Sequence, residues 1–140
     1  MPITGTKRES AFYQQMKTAL KTSTRKLLFT RIESTAVAGV PDILIADERG
    51  RFCMVELKFV NANAVSLRPH QVSWLTRHQH TPSYILVKKQ KDSLSKSELY
   101  LYSGDQAIDV KTDGLKTKPM LHQHQPFNWS AVFQIICPNS

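Results

Sequence analysis

Cysteine is nearly missing from this chain: Cys53 and Cys137 are the only two among 140 residues. So few exclude a disulfide-rich scaffold, and neither stands in a close Cys/His spacing that would hold zinc. Cys53 falls on the apolar side of a predicted strand, where it reads as a reduced core residue. Long apolar runs are missing too: none approaches the ~20 residues that span a bilayer. Met1-Pro2-Ile3-Thr4-Gly5-Thr6-Lys7 lacks the apolar stretch of a signal peptide. Together these absences point to an intracellular, cytoplasmic protein. No repeat or low-complexity tract occurs. Acidic residues are scarce: 11 Asp and Glu stand against 19 Lys and Arg, for a formal charge of +8 and a pI near 9.7. Such an excess suits a polyanionic partner held with strong salt dependence, although basic charge alone does not single out nucleic acid. A hydrophobic content of 41% fits one globular domain over residues 1–140, long enough to bury a core.

Against that background, two short apolar runs carry three charges where a core is expected. The first is Gly39-Val40-Pro41-Asp42-Ile43-Leu44-Ile45-Ala46 and the second is Phe52-Cys53-Met54-Val55-Glu56-Leu57-Lys58. Between them, Glu48-Arg49-Gly50 suits a three-residue hairpin loop whose last residue is left-handed. If Asp47 faces Arg51, then Ala46 faces Phe52, Leu44 faces Met54 and Asp42 faces Glu56. Side chains alternate along a strand, so Asp42, Leu44 and Ala46 share a face with Phe52, Met54, Glu56 and Lys58. Directly opposed residues have Cβ atoms roughly 5 Å apart. Two carboxylates that close repel unless a cation lies between them. Lys58 follows Glu56 on the same face, roughly 7 Å along the strand.

Buried charges are costly unless they are paired or bind a metal. Asp42 and Glu56 are hard oxygen donors suited to Mg²⁺ or Mn²⁺, ions that accept one or two carboxylates and a substrate phosphate oxygen. Lys58 beside them would orient or activate an attacking water, or stabilise the phosphoryl group in flight. A bare Glu-x-Lys is common and is usually a surface pair of little consequence; Asp109-Val110-Lys111 nearly repeats it. The combination is what stands out: Pro-Asp opening one strand, Glu-x-Lys closing the next, and a register in which the acids meet.

The remaining pattern frames this hairpin. Phe12, Met16, Ala19 and Leu20 keep a helical stripe over residues 7–21, with Glu9 in the first turn, where a helix favours an anion in any case. Lys7, Arg8, Lys17 and Lys21 make its exposed side basic. Residues 25–33 read as a strand with Leu27, Phe29, Arg31 and Glu33 on one face, and Thr35–Gly39 as a small-residue connection able to pass close to DNA. Residues 66–79 read as a second helix with Ser66 as N-cap and Pro69 in the first turn. In it Leu67, Trp74, Leu75 and His78 face the core. Gln71 on that stripe either orients a metal-bound water or is a polar residue at the helix edge. Arg68, His70 and Arg77 are either phosphate contacts or a solvated face.

Tyr84-Ile85-Leu86-Val87 suits an interior strand. It leads into Lys88, Lys89 and Lys91, which at a sheet end would meet a DNA backbone. Glu98–Tyr102 reads as another strand, Lys111–Pro126 as a long loop, and Trp129, Val132, Phe133 and Ile136 as a C-terminal helix docked on the core. His122 and His124 lie in the expected loop, where a zinc site would need ligands from elsewhere. The order helix, three strands, helix, two strands, helix implies an α/β fold with a mixed central sheet flanked by helices.

Pro41-Asp42 and Glu56-Leu57-Lys58 resemble the two half-motifs of the PD-(D/E)XK nuclease superfamily. Gly39-Val40-Pro41-Asp42 looks especially like its virus-type replication-repair (VRR-NUC) branch and the small Holliday junction resolvases. The resemblance extends to Glu9, similar to an acid that often adds a metal contact. It also takes in Ser66-Leu67-Arg68-Pro69-His70-Gln71-Val72-Ser73-Trp74-Leu75, similar to the helix after the motif, where a Gln commonly lies near the active site. It covers about residues 7–90; residues 91–140 carry no part of it. The resemblance implies a restriction-endonuclease-like core, with the metal site where the central hairpin opens. It implies Mg²⁺ or Mn²⁺ held by Asp42, Glu56, the main-chain carbonyl of Leu57 and Glu9, with Lys58 as base or charge stabiliser and Gln71 as auxiliary.

The function expected from residues and resemblance together is a metal-dependent DNA endonuclease. The expected substrate is branched DNA such as a four-way junction, cut by a homodimer with paired sites. DNA contacts are expected from Lys7, Arg8, Arg68, His70, Arg77, Lys88, Lys89 and Lys91. A sequence-specific restriction or homing endonuclease is the alternative within the class, with residues 91–140 available for recognition. A nucleic-acid-binding protein without catalysis is the alternative outside it. A structural network of buried ions is a third reading, which leaves the positive charge unexplained.

Overall fold

A computed structural model describes residues 3–32 and 37–139, with only the backbone for residues 3–7. Helix α1 (Ile3–Thr22) opens the chain and is followed by β1 (Leu28–Arg31), β2 (Ile43–Ala46) and β3 (Phe52–Val60). Helix α2 (Pro69–Arg77) leads to β4 (Ser83–Lys89) and β5 (Glu98–Ser103). Then come α3 (Ala107–Asp113), β6 (Leu121–His124) and α4 (Trp129–Ile136), with single 3-10 turns at Gly104–Gln106 and Gly114–Lys116 on either side of α3. The six strands form one sheet in sequence order, β1 to β6. Among the described strands only β3 and β4 run parallel; the other neighbours are antiparallel. This is the α/β fold with a mixed central sheet flanked by helices that the pattern implies. None of the described helices is long and apolar enough to cross a membrane.

The two sheet faces follow from strand alternation. Cys53, Val55 and Leu57 of β3 pack with Ile43, Ile45, Leu86, Leu99 and Leu101 under α1 and α4, which contribute Phe12, Met16, Leu20, Val132, Phe133 and Ile136. On the other face Ile85, Val87, Tyr100 and Tyr102 lie under α2 and α3, with Trp74, Leu75, Ala107 and Val110. Strand β4 is covered on both sides, which explains its unbroken apolar run. Met54, Glu56 and Lys58 alternate with the first set and so face the α2 side.

The hairpin keeps the expected register: Leu44 pairs with Met54 and Ala46 with Phe52. The Asp47 amide donates to the Arg51 carbonyl at 2.9 Å, and Gly50 takes the left-handed backbone the loop demands, at φ +77°. The pairing stops at Ile43–Val55. Asp42 and Glu56 therefore lie just beyond the ladder, where β2 and β3 part.

Several boundaries differ from the sequence pattern. Helix α1 begins at Ile3, so Glu9 is two turns in rather than in the first turn, and the helix end does not account for it. Strand β1 is shorter than residues 25–33, and Glu33, Thr35 and Ala36 lie outside the described residues. Helix α2 starts at Pro69 with Arg68, not Ser66, as N-cap, because Leu67 is drawn into the core and holds the preceding chain extended. The largest difference is Lys111–Pro126. Instead of a loop it holds the end of α3, a 3-10 turn and the edge strand β6. Its polarity is that of an edge strand with only one covered partner.

Candidate functional site

Four side chains meet where β2 and β3 diverge. The Leu57 amide, freed from β2 by the end of the ladder, donates to Asp42 Oδ2 at 2.9 Å. Ile32 donates its amide to the Asp42 carbonyl at 2.7 Å, so β1 fixes the other side of that residue. Glu56 and Lys58 point to the α2 face and are buried, at 2% and 9% exposure. Gln71 reaches down from the first turn of α2 and joins them. Its Nε2 donates to Glu56 Oε2 at 2.8 Å, and its Oε1 accepts from Lys58 Nζ at 3.0 Å. The same Oε1 accepts from the Arg68 amide at 2.9 Å, capping the helix from within. Lys58 Nζ stands 3.6 Å from Glu56 Oε2.

The electrostatics are unbalanced. Among the described residues, Glu56 Oε1 is buried with no hydrogen-bond partner. Burial, then the neighbouring Asp42 carboxylate, push the Glu56 carboxyl up to about 8; Lys58 opposes and Glu9 adds to the rise. Asp42 is raised as well, chiefly by burial, against the pull of the Leu57 amide, Lys58 and Arg31. Glu9 is exposed along α1, yet partial burial of its carboxyl lifts its pKa, while Lys58 pulls it down, Asp42 pushes it up and Arg68 pulls it down. Three carboxyls thus crowd one lysine, each more basic than usual. Such a cluster is poised to exchange protons for a cation.

Local sequence explains how the parts are held. Gly39 has φ +86°, and a Cβ there would lie 2.1 Å from the His70 carbonyl oxygen and 3.0 Å from the Gln71 amide. The loop before Asp42 therefore lies directly against the first turn of α2. A glycine at this position lets the backbone carrying Asp42 approach the backbone carrying Gln71. Nothing in the residue pattern singles out that contact, or Arg31, whose charge acts on Asp42 from the neighbouring strand.

The basic residues are more dispersed than the site. Arg68 is exposed at the α2 N-terminus, close enough to act on Glu9. His70 is exposed in the same turn. Arg8 stacks over the Phe59 ring at 5.4 Å on the α1 side. Arg77 lies at the far end of α2, roughly 9 Å of helical rise from Gln71, with Nε near the Ser73 carbonyl at 3.4 Å. The lysines after β4 divide between the faces. Lys88 donates to Gln15 of α1 at 2.8 Å, with its pKa lowered by burial, while Lys89 donates to Asn63 at 2.9 Å on the α2 side. Lys91 is exposed beyond the strand, and the side chain of Lys7 lies outside the described residues.

No family model matches the chain, and no curated protein does. Among solved structures it is similar to Hjc, a Holliday junction resolvase from the archaeal hyperthermophile Archaeoglobus fulgidus, at 15% identity. The match covers 65% of this chain and 74% of that one, with a TM-score of 0.44.

Proposed function

We propose that this chain is a metal-dependent endonuclease that hydrolyses phosphodiester bonds in DNA. The observation that carries the reading is the orphaned Glu56 Oε1, buried beside Asp42 at the mouth of a hairpin. A buried acceptor without a donor is stabilised by a cation. The donor set of two carboxylates, the Leu57 main-chain carbonyl and the more exposed Glu9 suits Mg²⁺ or Mn²⁺. Such an ion would neutralise charge on phosphoryl oxygens and make the attacking water more acidic.

The chain's own groups do the rest. Gln71 ties Glu56 to Lys58 and fixes both. Lys58 keeps one N–H on Gln71 and offers the others to the attacking water or to a phosphate oxygen, where positive charge counters the negative charge that builds in the transition state. Arg68 and His70, exposed beside Gln71, are placed to hold the flanking backbone. DNA rather than RNA rests on the family resemblance that the two half-motifs carry. The branch they resemble favours branched DNA cut by a two-fold dimer in an intracellular, DNA-containing compartment.

The test is a cleavage panel in Mg²⁺ and in Mn²⁺, comparing a four-way junction, a flap, linear duplex, single strand and supercoiled plasmid, with Asp42→Ala and Lys58→Ala beside the parent. Paired cuts confined to the junction, lost in both variants, are the expected result. Cutting of duplex at one sequence would make it a restriction or homing enzyme. No cutting of any substrate would leave a binding protein.

A further inference from the structure

Strand β6, in the segment whose sequence suits a loop, brings a second group of ligand-type side chains together against β5. In the β5–β6 ladder Glu98 pairs with His124 and Tyr100 with His122. Alternation puts all four on the α2 side of the sheet. One ligand atom each from Glu98, His122 and His124 lie within 4.8 Å of one another. The two imidazole rings are 5.0 Å apart between centroids, and His122 Nε2 is 2.8 Å from Glu98 Oε1.

The group is held from outside. Tyr100 donates its hydroxyl to Glu98 Oε1 at 2.9 Å and stacks on the His122 ring at 4.1 Å and 18°, so it orients two of the three at once. Beside Glu98 and His124 the strands are locked together. Gln125 Oε1 accepts from the Ser97 amide and hydroxyl at 2.5 and 2.6 Å, and the Gln125 amide donates to the Ser97 carbonyl at 3.0 Å. Partners of this kind fix the orientation of metal ligands. His122 and Glu98 keep partial solvent access, at 38% and 23% side-chain exposure, so an ion can enter.

We propose that Glu98, His122 and His124 form a binding site for a borderline divalent transition ion, with Zn²⁺ as the best fit. Two neutral imidazoles and one carboxylate favour Zn²⁺ over Mg²⁺, which prefers oxygen alone. Three protein ligands at an exposed strand edge leave a fourth position toward solvent, open to water or to an anionic oxygen. The site is separate from the hairpin cluster. Lys58, Val87, Tyr100 and His122 lie in one row across β3 to β6, so three strand spacings, roughly 14 Å, separate Lys58 from His122. The different donor sets sort the ions: hard oxygen ligands at the hairpin, nitrogen at the edge. The inference does not depend on nuclease activity.

The experiment is a Zn²⁺ titration of the full chain against a chromophoric chelator with excess Mg²⁺ present, repeated with Co²⁺ to read its visible d–d bands. His124→Asn and Glu98→Gln are compared with Asp42→Ala, and a thermal melt checks that each variant is folded. His124 is exposed, so its replacement is the cleaner variant. The expected result is one equivalent of Zn²⁺, weakened about 10–100-fold or more in His124→Asn and Glu98→Gln and unchanged in Asp42→Ala. Equal affinity in His124→Asn and the parent would overturn the proposal. So would loss of the Zn²⁺ equivalent in Asp42→Ala, or the absence of stoichiometric binding in the parent.

Discussion

The two ends of the β2–β3 hairpin hold similar residues in opposite electrostatic states. At the turn, burial pushes the Asp47 carboxyl up, but the Arg51 and Arg49 amides and the Arg51 guanidinium more than offset it and hold it below the usual carboxylate range. Glu48 is held at about 2, first by its bond to Arg25. Arg25 grips both Glu48 oxygens, at 2.8 and 3.0 Å, and also donates to the Cys137 carbonyl at 2.6 Å, tying the turn to the end of α4. Arg51 reaches the Pro138 carbonyl in the same way. At the open end, one hairpin length away, Asp42, Glu56 and Glu9 are all raised and share one lysine. The turn end has as many donors as its acids require. At the open end burial is the first cause of the rise and outweighs the pull of Lys58, Arg31 and Arg68, which suits the ligand site proposed above.

The strongest way to break this contrast is to change charge at each end and read cleavage. Lys58→Ala should lower turnover by at least about 10³-fold while divalent-ion binding, followed by calorimetry, persists. Arg51→Ala at the turn should leave turnover within about twofold, as surface changes away from a site do. Comparable losses in both variants would erase the distinction.

A smaller effect is expected from Gly39→Ala. The added methyl group meets the His70 carbonyl and sits on a left-handed backbone, so α2 must shift away from Asp42. A displacement near 1 Å costs up to about 100-fold in turnover. Steady-state cleavage should show the loss in kcat, with some rise in KM as well, because Arg68 and His70 lie in the same displaced turn as Gln71.

The pH response sharpens the comparison without chemistry. A carboxyl whose folded pKa is raised binds its proton more tightly when folded. Its contribution to stability is full below the unfolded value and is lost as pH rises through the folded one. For Glu56 that window runs from the usual 4.5 to about 8. The chelator-treated protein should therefore show a falling thermal midpoint from about pH 5 to about pH 8, and Glu56→Gln should flatten the curve. At the turn end the sign is reversed: the lowered pKa of Glu48 gives stability that is present above its usual value and is lost on acidification toward about 2.

The mildest prediction concerns Arg25→Ala. Losing the clamp between the turn and the end of α4 should lower the thermal midpoint by about 3–5 °C, with cleavage at low temperature intact.

How much of this was legible depended on the range over which each feature is decided. The hairpin register was readable because loop length and Gly50 set it locally, and Glu56 and Lys58 inherited their face from strand alternation. Gln71 was readable as a candidate by its helical spacing to Trp74 and Leu75, but its double bond to Glu56 and Lys58 required the packing of α2 on β3. Strand β6 was hidden because an edge strand covered on one side can be polar, and Leu121-His122-Gln123-His124 has only one apolar residue. Without β6 to set their register, the partnership of Glu98 with His122 and His124 has no local cause in the sequence. The DNA-contact candidates divided for a different reason: Lys88 and Lys89 are adjacent on β4, and alternation sends them to opposite faces.

The parallel pairing of β3 and β4 has a further consequence. Asp42 and Glu56 are joined by a short hairpin that closes quickly, whereas Gln71 arrives only when the crossover from β3 through α2 to β4 has formed. Such non-local pairing is the slow part of assembling a sheet. A nascent or partly folded chain therefore carries both acids without the glutamine that holds Glu56 to Lys58. If the proposed reading holds, the reactive centre is complete only once the crossover through α2 is in place, and a fragment ending before Gln71 would hold both acids without it.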